Sequence, residues 1–168
     1  HLDYHGHMNA YRDAKGLLFR WPDLKFAILN DDDPVSADYR RLLAPGVCCW
    51  SYSQQPGSDA DFVALSVRPS LQGLSLRVRT PRGECDVETR LLGRFNVSNL
   101  LAVLAGLLSL DVSLPQAVRA LAFVQPVRGR MECYSNGATT AVVDYAHTPD
   151  ALEKVLMTLR QHVQGRLY

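Results

Sequence analysis

The sequence has almost no net charge and no run of basic residues. Its 18 Lys and Arg residues are nearly balanced by 17 Asp and Glu residues, which leaves a net charge of +1 at pH 7. Surfaces that bind nucleic acid concentrate positive charge, so we expect no nucleic-acid partner. The longest apolar stretch, around residues 100–110, is too short to cross a bilayer, and no signal-peptide pattern is present. We therefore expect a cytoplasmic protein that does not insert into membranes.

Cysteine pairs with metal-ligand spacing are also missing. The four cysteines are Cys48, Cys49, Cys85 and Cys133, and no two of them form a C-x-x-C pair. That spacing is typical of zinc sites and redox motifs. We expect buried free thiols in a reducing compartment and no disulfide framework.

The common signatures of catalysis are absent as well. The sequence contains no P-loop, no G-x-G-x-x-G and no spacing typical of a catalytic triad. Its 168 residues, 47% hydrophobic and 21% charged, predict one globular unit with a core. The chain begins at His1 without methionine and ends in "GRLY", which resembles the start of a strand. We therefore expect the central part of a longer protein, cut at both ends.

What is present begins with alternating strands and helices. Residues 7–19 predict a helix, 25–30 a short buried strand, 34–43 a second helix and 47–53 a second strand. This order is typical of an α/β fold whose sheet starts out parallel.

The pattern then changes to short alternating runs. Residues 61–67, 74–79 and 85–91 are separated by the turn sequences "QG" and "PRGE". Apolar and polar residues alternate in the last two runs. We expect a small antiparallel meander over about residues 61–92, with one face in water.

Helical patterns return in the second half. Residues 96–110 are apolar on nearly all sides and predict a buried helix, and 114–124 predict another. "GRMECYS" and "TTAVVDYA" predict two strands. The last helix has a strong start signal in Thr148 and Pro149, followed by the favourable first-turn charge of Asp150. Its expected apolar stripe consists of Leu152, Val155, Leu156, Leu159 and Val163.

One residue interrupts an apolar row in the first helix. Met8, Tyr11, Lys15 and Leu18 are spaced three and four apart, which places them on one face. An unpaired ammonium in such a row is costly, and burial favours the neutral amine, which can react with carbon dioxide. The resulting carbamate has two oxygens that suit Mg²⁺. The alternative is a lysine whose stem follows the core edge to water.

Three stretches are polar where the pattern alone predicts otherwise. They are "HLDYHGHMNAYRDAK", "LLGRFNVSNLLA" and "VVDYAHTPDAL". The third places Asp144 at a strand end that leads into a helix start, where α/β proteins bind phosphates and nucleotides. Each also has a simpler interpretation: surface histidines, a helix cap at Asn96 and a turn former at Asp144.

Together and in this order, with "QPVRGRME" between the last two, these stretches resemble the central domain of the Mur ligases. These ATP-dependent enzymes add amino acids to the peptidoglycan precursor. The sequences of these stretches are most similar to those of the members that add the third residue. The resemblance implies an α/β domain with a mostly parallel sheet flanked by helices and a small antiparallel meander. It also implies that the family's C-terminal domain begins at about residue 129.

The resemblance assigns roles to individual residues. His1 matches the family's magnesium-binding histidine, and Lys15 matches the lysine that carries a carbamate, serves catalysis and binds the metal. Asn96 and Asn99 match asparagines of a helix on the nucleotide side. The remaining matches on the ATP side are Arg130 near the phosphates, Asp144 at the ribose, and Tyr145 and His147.

The resemblance also implies a reaction. The γ-phosphate of ATP passes to the D-glutamate carboxylate of a UDP-N-acetylmuramoyl dipeptide, giving an acyl phosphate. The amino group of meso-diaminopimelate attacks it, and ADP and phosphate leave. Mg²⁺ would offset charge during the transfer, and no side-chain nucleophile is needed. We expect a monomer whose partners are small-molecule substrates.

The family's glycine-rich phosphate loop and its lysine are not in this sequence. We therefore expect the chain alone to be inactive and to bind ATP weakly. Two alternatives stay open. One is a non-catalytic α/β scaffold domain that has kept the ligase fold. The other is a folylpolyglutamate-type ligase, which shares the fold but not the sequence motif "DYAHTPDALEK".

Overall fold

The computed structural model describes residues 8–70, 72–163 and 165–168. Within them the chain forms five α-helices and seven strands, with one 3₁₀ turn at Leu17–Arg20. The helices are α1 (Met8–Gly16), α2 (Ser36–Arg41), α3 (Phe95–Ser109), α4 (Leu114–Ala122) and α5 (Pro149–His162). The strands are β1 (Phe26–Asn30), β2 (Cys48–Ser53), β3 (Phe62–Ser70), β4 (Gly73–Thr80), β5 (Gly83–Thr89), β6 (Glu132–Ser135) and β7 (Thr140–Val143).

The first five strands form one mixed sheet in the order β1-β2-β3-β4-β5. The pairs β1–β2 and β2–β3 are parallel, and the pairs β3–β4 and β4–β5 are antiparallel. The predicted parallel start and antiparallel meander are thus confirmed. The meander is not a separate layer, because β3 belongs to both parts. Strands β6 and β7 form a second, two-stranded antiparallel sheet.

The main core lies between α3 and the sheet. Leu74, Leu76 and Val78 of β4 are buried while Arg77 and Arg79 are exposed, so the predicted wet face is confirmed. Helix α3 contributes one buried face, which consists of Val97, Leu100, Leu101, Leu104, Ala105 and Leu108. The expectation that this helix is buried all round is wrong. The sheet and α4 cover part of its surface, and Phe95 and Val103 on the uncovered side are 53% and 49% exposed.

The expected apolar row on α1 is also wrong. Met8 and Leu18 are 63% and 67% exposed, and Lys15 is exposed as well. The α-helix ends at Gly16 and continues as a 3₁₀ turn, which has three residues per turn and carries Leu18 away from the row. Helix α1 contacts α2 instead through an Arg12–Asp38 ion pair.

A second, smaller core holds the last part of the chain. It consists of Leu92, Met131 and Leu159, with Cys133, Val142 and Val155 packed against them. Residue Leu92 precedes α3, while the others belong to the region of β6, β7 and α5. This cluster therefore packs the β6–β7 sheet and α5 against the segment between β5 and α3. The start of α5 is as predicted, since Thr148 Oγ1 accepts a hydrogen bond from the Ala151 N–H at 3.3 Å. The stripe is only partly inward, because Leu152 and Leu156 are 51% and 40% exposed.

All four cysteines are free, as predicted, but they are not buried. Cys48 is exposed and the other three are half-buried. Partial burial raises the pKa of Cys49, Cys85 and Cys133, which favours the thiol over the nucleophilic thiolate. In the described ranges, no helix is both long and apolar enough to span a membrane.

Candidate functional site

The carboxylate of Asp144 joins the two loops that flank the small sheet. One oxygen accepts a hydrogen bond from the Met131 N–H at 3.0 Å, and the other accepts from the Ala146 N–H at 2.8 Å. The first bond holds the turn before β6 and the second holds the turn after β7. A carboxylate has about four acceptor positions, so two remain for another donor.

Arg130, Tyr145 and His147 form an exposed group beside that carboxylate. The Arg130 guanidinium carbon lies 5.2 Å from the centroid of the Tyr145 ring. The Tyr145 and His147 rings meet edge to face with centroids 5.0 Å apart, and Tyr145 is 65% exposed. A guanidinium matches the geometry of phosphate oxygens, and an exposed ring offers a face for a base. The group therefore combines a cationic hydrogen-bond donor that can bind anions with an aromatic surface.

A strained turn fixes the direction of Arg130. The residues on either side have left-handed backbones, with φ of 68° at Gly129 and 51° at Met131. That conformation is uncommon for methionine, and it is held here because the Met131 side chain is buried in the small core. The Gly129 N–H donates to Glu132 at 3.0 Å, and this bond lowers the pKa of the Glu132 carboxyl.

The asparagines at the start of α3 are hydrogen-bonded to each other. The Asn99 Nδ2 donates to Asn96 Oδ1 at 3.0 Å, and the Asn96 Nδ2 donates to the Leu92 carbonyl at 2.7 Å. Asn96 lies inside the first turn rather than at the cap position, which is Arg94. The interpretation of Asn96 as a helix cap is therefore wrong.

The small core connects this pair to the Arg130 group. Leu92, whose carbonyl binds Asn96, packs with Met131, whose N–H binds Asp144. The structure thus brings the predicted nucleotide-side residues into two clusters that share one packed junction. We call them the asparagine pair (Asn96 and Asn99) and the arginine cluster (Arg130, Asp144, Tyr145 and His147).

Lys15 lies with other residues of the N-terminal elements. Its Nζ is 4.5 Å from the centroid of the Tyr11 ring. A hydrogen bond with the Tyr11 side chain is the main cause that raises the pKa of Lys15, and nearby Tyr39 and Asp33 add to it. The expectation that burial favours the neutral amine is therefore wrong, because the side chain is exposed and stays an ammonium. Its metal-binding role stays a prediction.

The residues that the structure describes do not fit a magnesium ion as they stand. Among them, no three His, Cys, Asp or Glu side chains come close enough to hold a metal. The ammonium of Lys15 is a cation and is not a ligand; only the carbamate would provide oxygens. His1, the other predicted ligand, lies outside the described residues.

Three residues of this region had no signal in the sequence. Glu132 stabilises the turn before β6, Met131 ties that turn to the small core, and His162 bonds to the loop before α3. Glu132 and Met131 follow Arg130 in "GRME", but nothing in their pattern indicates these bonds. His162 is distant in sequence from both of its partners.

The chain belongs to the Mur ligase family. Residues 1–107 match the family described as the Mur ligase middle domain. Residues 129–168 match the family described as the Mur ligase glutamate ligase domain.

Among its relatives, the chain is similar to the UDP-N-acetylmuramoyl-L-alanyl-D-glutamate–2,6-diaminopimelate ligase of Geobacillus kaustophilus. The two are 44% identical over 176 aligned residues, which cover 100% of this chain and 35% of the relative. The chain thus spans about a third of the length of that relative. A solved structure of a ligase with the same name matches with a TM-score of 0.87 at 35% identity, covering 98% of this chain and 34% of the other.

The fold is shared more widely. Folylpolyglutamate synthetase from Lactobacillus casei matches with a TM-score of 0.72 at 19% identity, covering 94% of this chain and 40% of that one. At this identity the likeness concerns the fold alone.

Proposed function

We propose that this chain is the ATP-handling third of a ligase that adds meso-diaminopimelate to UDP-N-acetylmuramoyl-L-alanyl-D-glutamate. The observation that carries the proposal is the 44% identity to a ligase of that name along the whole chain. The arginine cluster supports it, because a guanidinium, a carboxylate and an exposed ring lie together at the carboxyl end of β7.

The proposed reaction has two steps. A carboxylate oxygen of the D-glutamate residue attacks the γ-phosphorus of ATP, and the bond to the β-phosphate oxygen breaks, which releases ADP. The amino group of diaminopimelate then attacks the acyl phosphate, loses a proton and expels phosphate. Positioning and charge stabilisation account for most of the catalysis in such transfers, so no side-chain nucleophile is required.

Each predicted residue has a place in this proposal. Arg130 contacts the phosphates with its guanidinium, and Asp144 accepts from ribose hydroxyls with the acceptor positions that its backbone bonds leave unused. Tyr145 and His147 lie beside the base, and Asn96 and Asn99 face the nucleotide. Lys15 as a carbamate and His1 are the residues that would hold Mg²⁺, and the ion would supply positive charge near the transferring group.

We further propose that residues from about 129 onward begin the family's C-terminal domain. The separate β6–β7 sheet and the second family match at residue 129 support this division. A cytoplasmic location and a monomeric state belong to the same proposal. A scaffold role predicts the same fold without activity, so only an assay separates it from the ligase.

The assay uses a chimera in which this chain replaces the matching third of the Geobacillus kaustophilus relative. The measurement is phosphate release from ATP in the presence of UDP-N-acetylmuramoyl dipeptide and diaminopimelate. The ligase proposal predicts release that requires both substrates. A folded chimera that releases no phosphate favours the scaffold, and release that depends on a folate substrate favours the folylpolyglutamate alternative.

The 168-residue chain by itself is expected to bind ATP with a dissociation constant weaker than micromolar. The expected phosphate loop lies outside this sequence, and a micromolar site needs about −8 kcal/mol of binding free energy. Isothermal calorimetry with ATP provides the test. A micromolar affinity of the isolated chain would show that it holds the phosphates without that loop.

Replacing Asp144 with alanine in the chimera is expected to raise the KM for ATP by about 10- to 100-fold, because a charged hydrogen bond contributes about 1.5–3 kcal/mol. Steady-state kinetics at saturating dipeptide and diaminopimelate give the value. Asp150→Ala is the matched control, since that carboxylate lies on the exposed first turn of α5 and pairs with Lys154. Equal KM values for the two variants, with melting temperatures close to that of the parent, would show that Asp144 does not bind the nucleotide.

A further inference from the structure

His162 is a buried polar side chain that the proposed function does not use. It is the last residue of α5 and is 7% exposed. Its Nδ1 lies 2.7 Å from the Ser70 carbonyl oxygen at the end of β3. Its Nε2 lies 3.3 Å from the Gly93 backbone nitrogen in the loop before α3. A single ring therefore ties the last helix to two segments of the five-stranded part.

These two partners define one form of the ring. A carbonyl oxygen only accepts, so Nδ1 must carry a hydrogen and donate it to Ser70. The Gly93 N–H only donates, so Nε2 must have a free lone pair. The ring is therefore neutral, with its hydrogen on Nδ1. An imidazolium would direct a second N–H against that of Gly93.

The bond to Gly93 continues into the asparagine pair. The Gly93 nitrogen and the Leu92 carbonyl belong to the same peptide group. Its N–H donates to His162, and its carbonyl oxygen accepts from Asn96 Nδ2 at 2.7 Å. Asn96 Oδ1 in turn accepts from Asn99 at 3.0 Å. The donors all point the same way, so each bond polarises the next one.

The Leu92–Gly93 peptide group requires a contact that fixes its orientation. Gly93 has a φ of 87°, and glycine reaches many backbone angles at little cost, so rotation of the preceding peptide is cheap. A flipped peptide would direct its N–H toward Asn96 and remove the acceptor for the Asn96 amide. The His162 bond selects the orientation in which Asn96 donates to the carbonyl.

We propose that His162 is a positioning residue that sets the amide orientation of Asn96 and couples it to the unit that carries the arginine cluster. The second half of the statement rests on the proposed function, because it takes the asparagine pair and the arginine cluster as one nucleotide site. The first half stands on the hydrogen bonds alone. Helix α5 follows directly after His147 and Thr148 and ends at His162, so it connects the arginine cluster to the ring that bonds to Gly93.

Two variants separate the two bonds of the ring. The amide of Gln reaches about as far as Nε2, so His162→Gln keeps an acceptor for Gly93. The amide of Asn reaches only as far as Nδ1, so His162→Asn keeps the donor to Ser70 and loses the bond to Gly93. Gln161→Ala is the control, because Gln161 is the exposed neighbour on the same turn.

The test is NMR on the 168-residue chain without nucleotide. We expect ring nitrogen shifts of a neutral His162 with hydrogen on Nδ1. The Gly93 amide is expected to exchange with solvent about fivefold faster in His162→Asn, the loss that one ordinary hydrogen bond implies. His162→Gln and Gln161→Ala are expected to stay within about twofold of the parent. The Asn96 side-chain amide signals are expected to shift in His162→Asn only.

Hydrogen on Nε2 would overturn the proposal, and so would equal acceleration at Gly93 in His162→Asn and His162→Gln. Unchanged Asn96 signals in His162→Asn would overturn it too. These readouts need no ATP, so they do not depend on the ligase proposal. In the chimera, His162→Asn is expected to raise the KM for ATP about fivefold and His162→Gln is not. A parent chimera without ATP dependence would refute the ligase proposal and leave the NMR result standing.

Discussion

Replacing Lys15 with alanine is expected to lower the kcat of the chimera by about 10²- to 10³-fold, the usual cost of removing one group that stabilises developing charge. The substitution removes the amine from which the proposed carbamate would form. A short carboxylic acid such as formate is expected to restore part of the turnover, because it supplies the missing anion. The measurement is phosphate release at saturating substrates, with and without added acid.

The matched control is Lys154→Ala, which removes an exposed lysine that pairs with Asp150 on α5. It is expected to leave kcat unchanged. If Lys15→Ala also turns over at the parent rate, Lys15 has no role in the reaction. A loss without rescue at a normal melting temperature would retain a role for the lysine and reject the carbamate.

The structure sharpens what the carbamate requires. Only the neutral amine reacts with carbon dioxide, and the hydrogen bond with Tyr11 raises the pKa of Lys15, which makes that form scarcer at neutral pH. The exposed surroundings of Lys15 in this chain therefore disfavour the modification. We expect it to form where further protein or metal replaces the contact with Tyr11.

Replacing Gly73 with alanine is expected to destabilise the fold by more than about 3 kcal/mol, beyond the range of ordinary substitutions. A Cβ at this position would lie 1.8 Å from the carbonyl oxygen of Thr89 and 2.9 Å from the Cα of Arg90. Both are backbone atoms, one in the last residue of β5 and the other in the residue that follows it, so no side chain can rotate away. The whole β4–β5 ladder would have to shift.

Gly83→Ala is the control for Gly73→Ala. Both glycines have a left-handed φ, 141° at Gly73 and 109° at Gly83, but nothing lies within 4 Å of a Cβ added at Gly83. Its cost is therefore limited to backbone strain, about 1–2 kcal/mol. Urea unfolding of both variants gives the comparison. Similar losses for the two glycines would contradict the close packing between β4 and β5.

The parts of the fold that the sequence predicts are those set by local patterns. Alternation at residues 74–79 fixes which side of β4 faces the core, and Thr148 with Pro149 fixes where α5 begins. The prediction of an apolar row on α1 is wrong for a local reason as well. After Gly16 the chain changes to a 3₁₀ turn, so the α-helical period of 3.6 residues no longer applies at Leu18. The exposed faces of α3 and α5 follow from how much of each helix the sheets cover, which periodicity does not report.

The candidate site was predictable to a different extent. The resemblance pointed to Asn96, Asn99, Arg130 and Asp144, and the structure adds how each of them is held. The groups that hold them are distant in sequence: His162 bonds to Gly93 and Ser70, which precede it by 69 and 92 positions. Such contacts arise from tertiary packing and leave no trace in the spacing of neighbouring residues.

A crystal structure of the chimera with ADP bound would test the proposed nucleotide site directly. We expect the ribose hydroxyls to contact Asp144, the phosphates to lie at Arg130, and the base to lie beside Tyr145 with the asparagine pair facing the nucleotide. ADP bound at a place where neither Asp144 nor Arg130 is within hydrogen-bond distance would contradict this placement.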